Sequence, residues 1–78
     1  MTNLTIATLP RTDRTDVRVR ITEYRGQPLI DLRLFFRTKE GEWLPTRKGC
    51  SFPPGELPAL LAAIETAGKE VSLAIAGA

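Results

Sequence analysis

Between Tyr24 and Lys48 the sequence sets cations beside aromatic rings: Tyr24 next to Arg25, Arg33 ahead of Phe35, Phe36 and Arg37, and Arg47 and Lys48 shortly after Trp43. Aromatic rings offer bases a stacking surface worth about 1 to 3 kcal/mol per base, and neighbouring cations neutralise phosphates without reading sequence. The same stretch offers little to covalent catalysis. The 78 residues include no histidine and a single cysteine, Cys50, so one chain holds no Ser/His or Cys/His relay, no internal disulfide and no zinc site of the usual N/S kind. No catalytic residue, cofactor or metal ligand is expected. The one enzymatic arrangement left, Asp31 with Glu23 or Glu42 on a divalent metal, is disfavoured because those carboxylates are scattered among cations. Gly41 and Gly49 read as turn or bulge glycines, since no strand-to-helix junction with phosphate-loop spacing follows them.

Positioning such residues requires strands. From Asp16 to Tyr24 alternation places Val17, Val19 and Ile21 on one face and Arg18, Arg20, Thr22 and Tyr24 on the other. Arg25-Gly26-Gln27-Pro28 supplies a reversal, and Leu29 to about Thr38 pairs back antiparallel. In that second strand Ile30, Leu32 and Leu34 face the core, while Arg33, Phe35 and Arg37 face the basic side. Two shorter strands are expected, Glu42 to Leu44 and Arg47 to Phe52, separated by turn residues at Pro45 and Thr46. Trp43 and Cys50 read as packing residues, and Asp31 as the partner of neighbouring cations.

After Pro53-Pro54-Gly55, Leu57, Leu60, Leu61 and Ile64 recur with helical spacing, the stripe of an amphipathic helix expected to lie on the apolar sheet face. Pro58 restricts its start to near Pro54, through a distorted turn, or near Leu57; Gly68 is a reasonable stop. The expected fold class is α+β: a curved four-stranded antiparallel meander followed by one C-terminal α-helix, with room for extra short strands at the termini. Residues 1–15 read as an N-terminal arm in which Leu4–Leu9 has edge-strand character, 16–68 as the domain, and 69–78 as a tail or extra strand. So small a domain buries only about 60 to 65% of its unfolded surface, and Ala59, Ala62, Ala63 and Ala67 leave a shallow helix side; a homodimer is expected.

The order ITEYRGQPLIDLR, EGEWLPTRKGCSF and a leucine-bearing helix resembles the transcriptional coactivator family typified by positive cofactor 4, over about Asp16 to Ala67. The resemblance implies a single-stranded-DNA-binding dimer with helices at its two-fold axis and sheet ridges that form channels for single strands. Residue by residue, it implies base stacking at Tyr24 and Phe36 and backbone contacts at Arg25, Arg33, Arg47 and Lys48; Arg18, Arg20 and Phe35 are secondary candidates. At one position alternation and resemblance disagree, because period two sends Phe36 to the core and Phe35 to the basic face. A bulge near Leu34 or Phe35 would reverse that parity and favour Phe36. The basic, serine-rich regulatory tail of eukaryotic members has no counterpart here, so the stand-alone bacterial or phage type is implied, without the eukaryotic activation and phosphorylation behaviour.

Charge agrees with such a surface. Net charge is +2, yet residues 11–48 hold ten of the eleven Lys and Arg against six acids, and residues 49–78 one Lys against three Glu. The expected partners are single-stranded DNA, or RNA as a sub-alternative, a second copy of the chain, and transcription or replication machinery. The rival reading is a protein-interaction module whose basic sheet meets an acidic partner. With no apolar run of bilayer length and no leader pattern, the expected location is cytoplasmic, at the nucleoid if the source is bacterial.

Overall fold

Alternating β-branched and charged residues favour extended chain, and in the computed structural model, which describes residues 3–76, Thr15–Tyr24 and Gln27–Arg37 form the two central strands of an open sheet. Four antiparallel strands run in the order β1 (Leu4–Pro10), β2 (Thr15–Tyr24), β3 (Gln27–Arg37) and β4 (Trp43–Phe52). The meander is as expected, but its membership differs. Leu4–Pro10, placed by the sequence reading in an arm, pairs along β2 from Leu4↔Ile21 to Pro10↔Asp16, with Ile6 as an extra residue. The two short strands expected at 42–44 and 47–52 are one strand, β4, and Pro45-Thr46 is an irregularity within it.

The β2–β3 hairpin closes through Arg25 (φ 52°) and Gly26 (φ 78°), two consecutive left-handed residues that match the twist of the flanking strands. Its register is unbroken from Tyr24↔Gln27 to Thr15↔Phe36. One face therefore carries Asp16, Arg18, Arg20, Asp31, Arg33 and Phe35; the other carries Val17, Val19, Ile21, Ile30, Leu32, Leu34 and Phe36. Burial inverts the usual order, since among the described residues Asp16, Asp31 and Phe35 on the polar face are the buried ones, at 4, 1 and 6% exposure. Long arginine side chains lie flat over that face and cover it. The apolar face remains partly open, which is why Cys50, expected in the core, is exposed.

That face stays open because the helix does not cover it. Pro53 leads into a single 3-10 turn at Pro54–Glu56, and α1 follows over Leu57–Ala76, with Pro58 in the first turn, where a missing N–H costs nothing. Only Leu57 and Leu60 are half-buried, and the rest of the described helix is exposed. The expectation that the leucine stripe lies on its own sheet is corrected: α1 makes at most marginal contact with the strands. The helix also continues through Gly68, so residues 69–76 are neither tail nor strand. Ala, Leu, Glu and Lys sustain a helix through one glycine, whose cost is about 1 kcal/mol.

Candidate nucleic-acid interface

Asp31 organises the polar face. Its Oδ2 accepts hydrogen bonds from Arg20 Nε (3.0 Å) and Nη2 (2.8 Å) and from Arg33 Nε (3.1 Å); its Oδ1 accepts from Arg33 Nη2 (2.9 Å) and Ser51 Oγ (2.7 Å). Burial alone would push this carboxyl up, but the hydrogen bonds from Arg33, Ser51 and Arg20 outweigh it and hold the pKa at about 2. The same hydrogen bond raises the pKa of Arg33. Arg18 pairs with Asp16 at 3.0 Å and lies over the Phe35 ring at 4.3 Å and the Trp43 ring at 5.4 Å. Arg20 stands 5.2 Å from the Phe35 centroid, so Phe35 is capped by two guanidinium groups.

The β4 irregularity is stitched to this network. Between Arg33↔Gly49 and Phe35↔Pro45, β3 advances by two residues and β4 by four. Thr46 Oγ1 donates to the Leu34 carbonyl (2.8 Å) and accepts from the Lys48 N–H (3.1 Å), while Arg33 Nη1 donates to the Thr46 carbonyl (3.1 Å). Arg47 and Lys48 are thereby held exposed on a fixed backbone. Gly49 permits the close approach, since a Cβ there would collide with the Leu32 carbonyl oxygen and stand 2.9 Å from Arg33 Cα.

Among the sequence-derived candidates, the cations separate into two groups. Among the described residues the ion pairs are Arg18–Asp16, Arg20–Asp31 and Arg33–Asp31, so these three arginines are engaged within the sheet. Arg25, Arg47 and Lys48 hold no ion pair among the described residues and are exposed. Arg11, Arg14, Arg37 and Lys39, which are not among those candidates, join this second group. The usable signal was their position at the strand ends, where a turn presents side chains outward.

The aromatic candidates also separate. Tyr24 is 60% exposed, with Arg25 at 5.1 Å from its ring; Phe36 is 40% exposed; Phe35 is buried. Alternation therefore assigned the faces of Phe35 and Phe36 as found, and no bulge interrupts β2–β3. The sheet does not bring Tyr24 and Phe36 together: nine positions of β3 separate Phe36 from Gln27, the partner of Tyr24, about 30 Å along the strand. Near Phe36 the apolar face opens into a hollow of about 270 Å³ lined by Val17, Leu32, Leu34, Gly49 and Cys50, with Arg11, Lys48 and the ion-paired Arg33 at its edge. Toward the helix start lies a mainly apolar hollow of about 330 Å³ between Ile6, Val19, Arg20, Ile21, Ile30 and Leu57. Among the described residues no group of three or more His, Cys, Asp or Glu could hold a metal, and no helix is long and apolar enough to cross a membrane.

An open antiparallel meander with a single following helix thus presents exposed rings and outward cations at its strand ends, groups of the kind that meet bases and phosphates. Residues 13–63 match the family described as Transcriptional Coactivator p15 (PC4), and the chain belongs to that family. Its fold is similar to a PC4 homologue from Burkholderia pseudomallei, with a TM-score of 0.83 and 29% identity over 88% of this chain and 93% of that one. A second crystal form of that homologue gives 0.81 and 28%, over 86% and 98%. It is also similar to the bacteriophage T5 homologue of PC4 implicated in recombination-dependent DNA replication, with a TM-score of 0.72 and 25% identity over 94% and 84%. Among curated proteins no match is found.

Proposed function

We propose that the protein is a single-stranded-DNA-binding homodimer, largely indifferent to sequence, that acts in transcription regulation or in DNA replication and repair. One observation carries the reading: Phe36 stands exposed on an apolar sheet face whose neighbouring hollow is rimmed by Arg11 and Lys48, cations with no ion pair among the described residues. Unpaired bases stack on such a surface while their phosphates meet the rim; duplex bases are already stacked on one another and gain less. Tyr24 and Arg25 supply a second ring and cation at the far hairpin end. Arg33 acts as a positioning residue, holding Asp31 and Thr46 so that Arg47 and Lys48 stay presented.

Two solvent-facing apolar surfaces support the dimer. Leu57, Leu61, Ile64, Val71 and Ile75 fall on alternating spacings of four and three, with Gly68 at the remaining position, a seam suited to a facing helix; Leu61, Ile64, Val71 and Ile75 are 50 to 71% exposed. The apolar hollow at the helix start continues that surface onto the sheet. Membership of the PC4 family and likeness to a phage protein implicated in DNA replication favour this reading over an interaction module for acidic proteins. Fluorescence anisotropy with labelled single strands and the matching duplex, at one salt concentration, tests it. Tighter binding of the single strand is expected; equal or tighter binding of the duplex would refute it.

A further inference from the structure

The end of the sheet opposite the Tyr24 hairpin carries a third hollow, of about 270 Å³, that the reading above leaves unused. It is lined by Asp13 and Arg14 from the β1–β2 turn and by Arg37, Thr38 and Lys39 from the end of β3. Three cations thus converge from two separate turns, and none of them is in an ion pair among the described residues. One carboxylate, Asp13, stands with them and leaves a local charge of +2.

The two turns are fixed to each other. The Arg37 N–H donates to the Arg14 carbonyl at 2.8 Å, which joins the β1–β2 turn to β3 beyond the last ladder pair. Within the first turn Thr12 and Thr15 hydroxyls bond at 2.8 Å and Thr12 Oγ1 accepts from the Arg14 N–H at 3.1 Å. In the second, the Thr38 N–H donates to the Glu42 carbonyl at 2.7 Å and the Glu42 N–H donates to Thr38 Oγ1 at 3.0 Å. Arg37 lies along this turn, its Nη2 3.8 Å from the place a Cβ on Gly41 would take. A preorganised backbone holds like charges near one another, an arrangement that favours an anion between them.

The register supplies the link to the nucleic acid. Phe36 pairs with Thr15, which follows Arg14, and precedes Arg37, whose side chain leaves the opposite face at the strand's end, so the hollow lies at the sheet end just beyond that ring. We infer that this hollow, with Arg14, Arg37 and Lys39, binds a phosphodiester group of the strand whose base stacks on Phe36, so that the binding track runs past the sheet face onto its turn end. The inference rests on the single-strand reading above. One phosphodiester carries a single negative charge, which a local +2 neutralises even with Asp13 present.

Labelled oligothymidylate is titrated against the parent protein and the variants R14Q/R37Q, D13N and K69Q, the last a charge-matched control for one lost cation on exposed α1. The parent's Arg14 and Arg37 Nε–Hε resonances are followed by NMR as oligothymidylate is added. The expected result is roughly threefold to tenfold weaker binding for each lost cation of the hollow, a salt slope smaller by about 0.7, tighter binding by D13N, little change in K69Q, and displaced Arg14 and Arg37 resonances. Thermal melts confirm that each variant remains folded. If the parent binds but R14Q/R37Q binds no worse than K69Q and the two resonances stay in place, the hollow is not a phosphate site while the single-strand reading stands. If the parent does not bind oligothymidylate, that reading fails and the inference fails with it.

Discussion

Replacing Asp31 by asparagine removes the charge around which the polar face is assembled, and its cost can be worked from the contacts. Arg20 and Arg33 lose their common carboxylate while their side chains remain only 13 and 20% exposed. Breaking a buried pair by removing one partner costs about 3 to 5 kcal/mol, and the residual exposure of the arginines sets D31N at about 3 kcal/mol at pH 7. The pKa gives a second, independent handle. A carboxyl held at about 2 in the folded chain, below its ordinary 3.8, contributes stability that is fully present above the ordinary value and is lost as pH falls toward 2. Across that window the parent should lose about 2 kcal/mol that D31N never had, because each tenfold difference in proton affinity between the folded and unfolded chain is worth about 1.4 kcal/mol. Urea denaturation of both proteins at one protein concentration, at pH 7 and pH 2, measures the gap. It should narrow by about that amount at low pH; a gap equal at both pH values would show that Asp31 is not the ionised hub of the face.

Phe36→Ala should weaken single-strand binding by about 1 to 3 kcal/mol with a small change in melting temperature, whereas Phe35→Ala, which empties the space beneath Arg18 and Arg20, should cost about 3 to 5 kcal/mol of stability; anisotropy and thermal melts on both variants separate the effects. Gly49→Ala drives a methyl into β3 backbone at Leu32 and Arg33, and should destabilise by about 1 to 3 kcal/mol in denaturant titrations. Ile64→Glu, at the middle of the exposed helix seam, should leave only monomer in sedimentation equilibrium if the proposed dimer forms through that seam.

The central hairpin was legible because its information is local: strict alternation from Val17 to Ile21, a glycine after Arg25, and alternation again from Ile30 to Leu34. The helix start was legible for the same reason, since Pro54 and Pro58 each tolerate few positions. What escaped depends on partners distant in sequence. Leu4–Leu9 reads as β-prone, but its place in the sheet is decided by the edge that β2 offers, and the helix continues past Gly68 because the residues that follow sustain it. The inversion of the faces could not be read from pattern, which marks a charged face as solvated. Here Asp31 lies opposite Arg20 and across from Ser51, a coincidence of register that lets five donor contacts bury a carboxylate. The same register decides which arginines remain available: Arg33, a candidate for phosphate contact, is engaged by Asp31, while Arg14 and Arg37 at the strand ends are not.

The most direct test of single-strand binding on the open face is a photo-cross-link. Oligothymidylate substituted with 5-iodouracil is irradiated in complex with the protein, and the adducts are mapped by mass spectrometry. Rings that stack on bases should carry them, so an adduct is expected at Phe36, suppressed by excess unlabelled single strand and not by duplex. Adducts confined to Trp43, on the polar face beside Arg18, or to neither face would contradict the proposed binding surface.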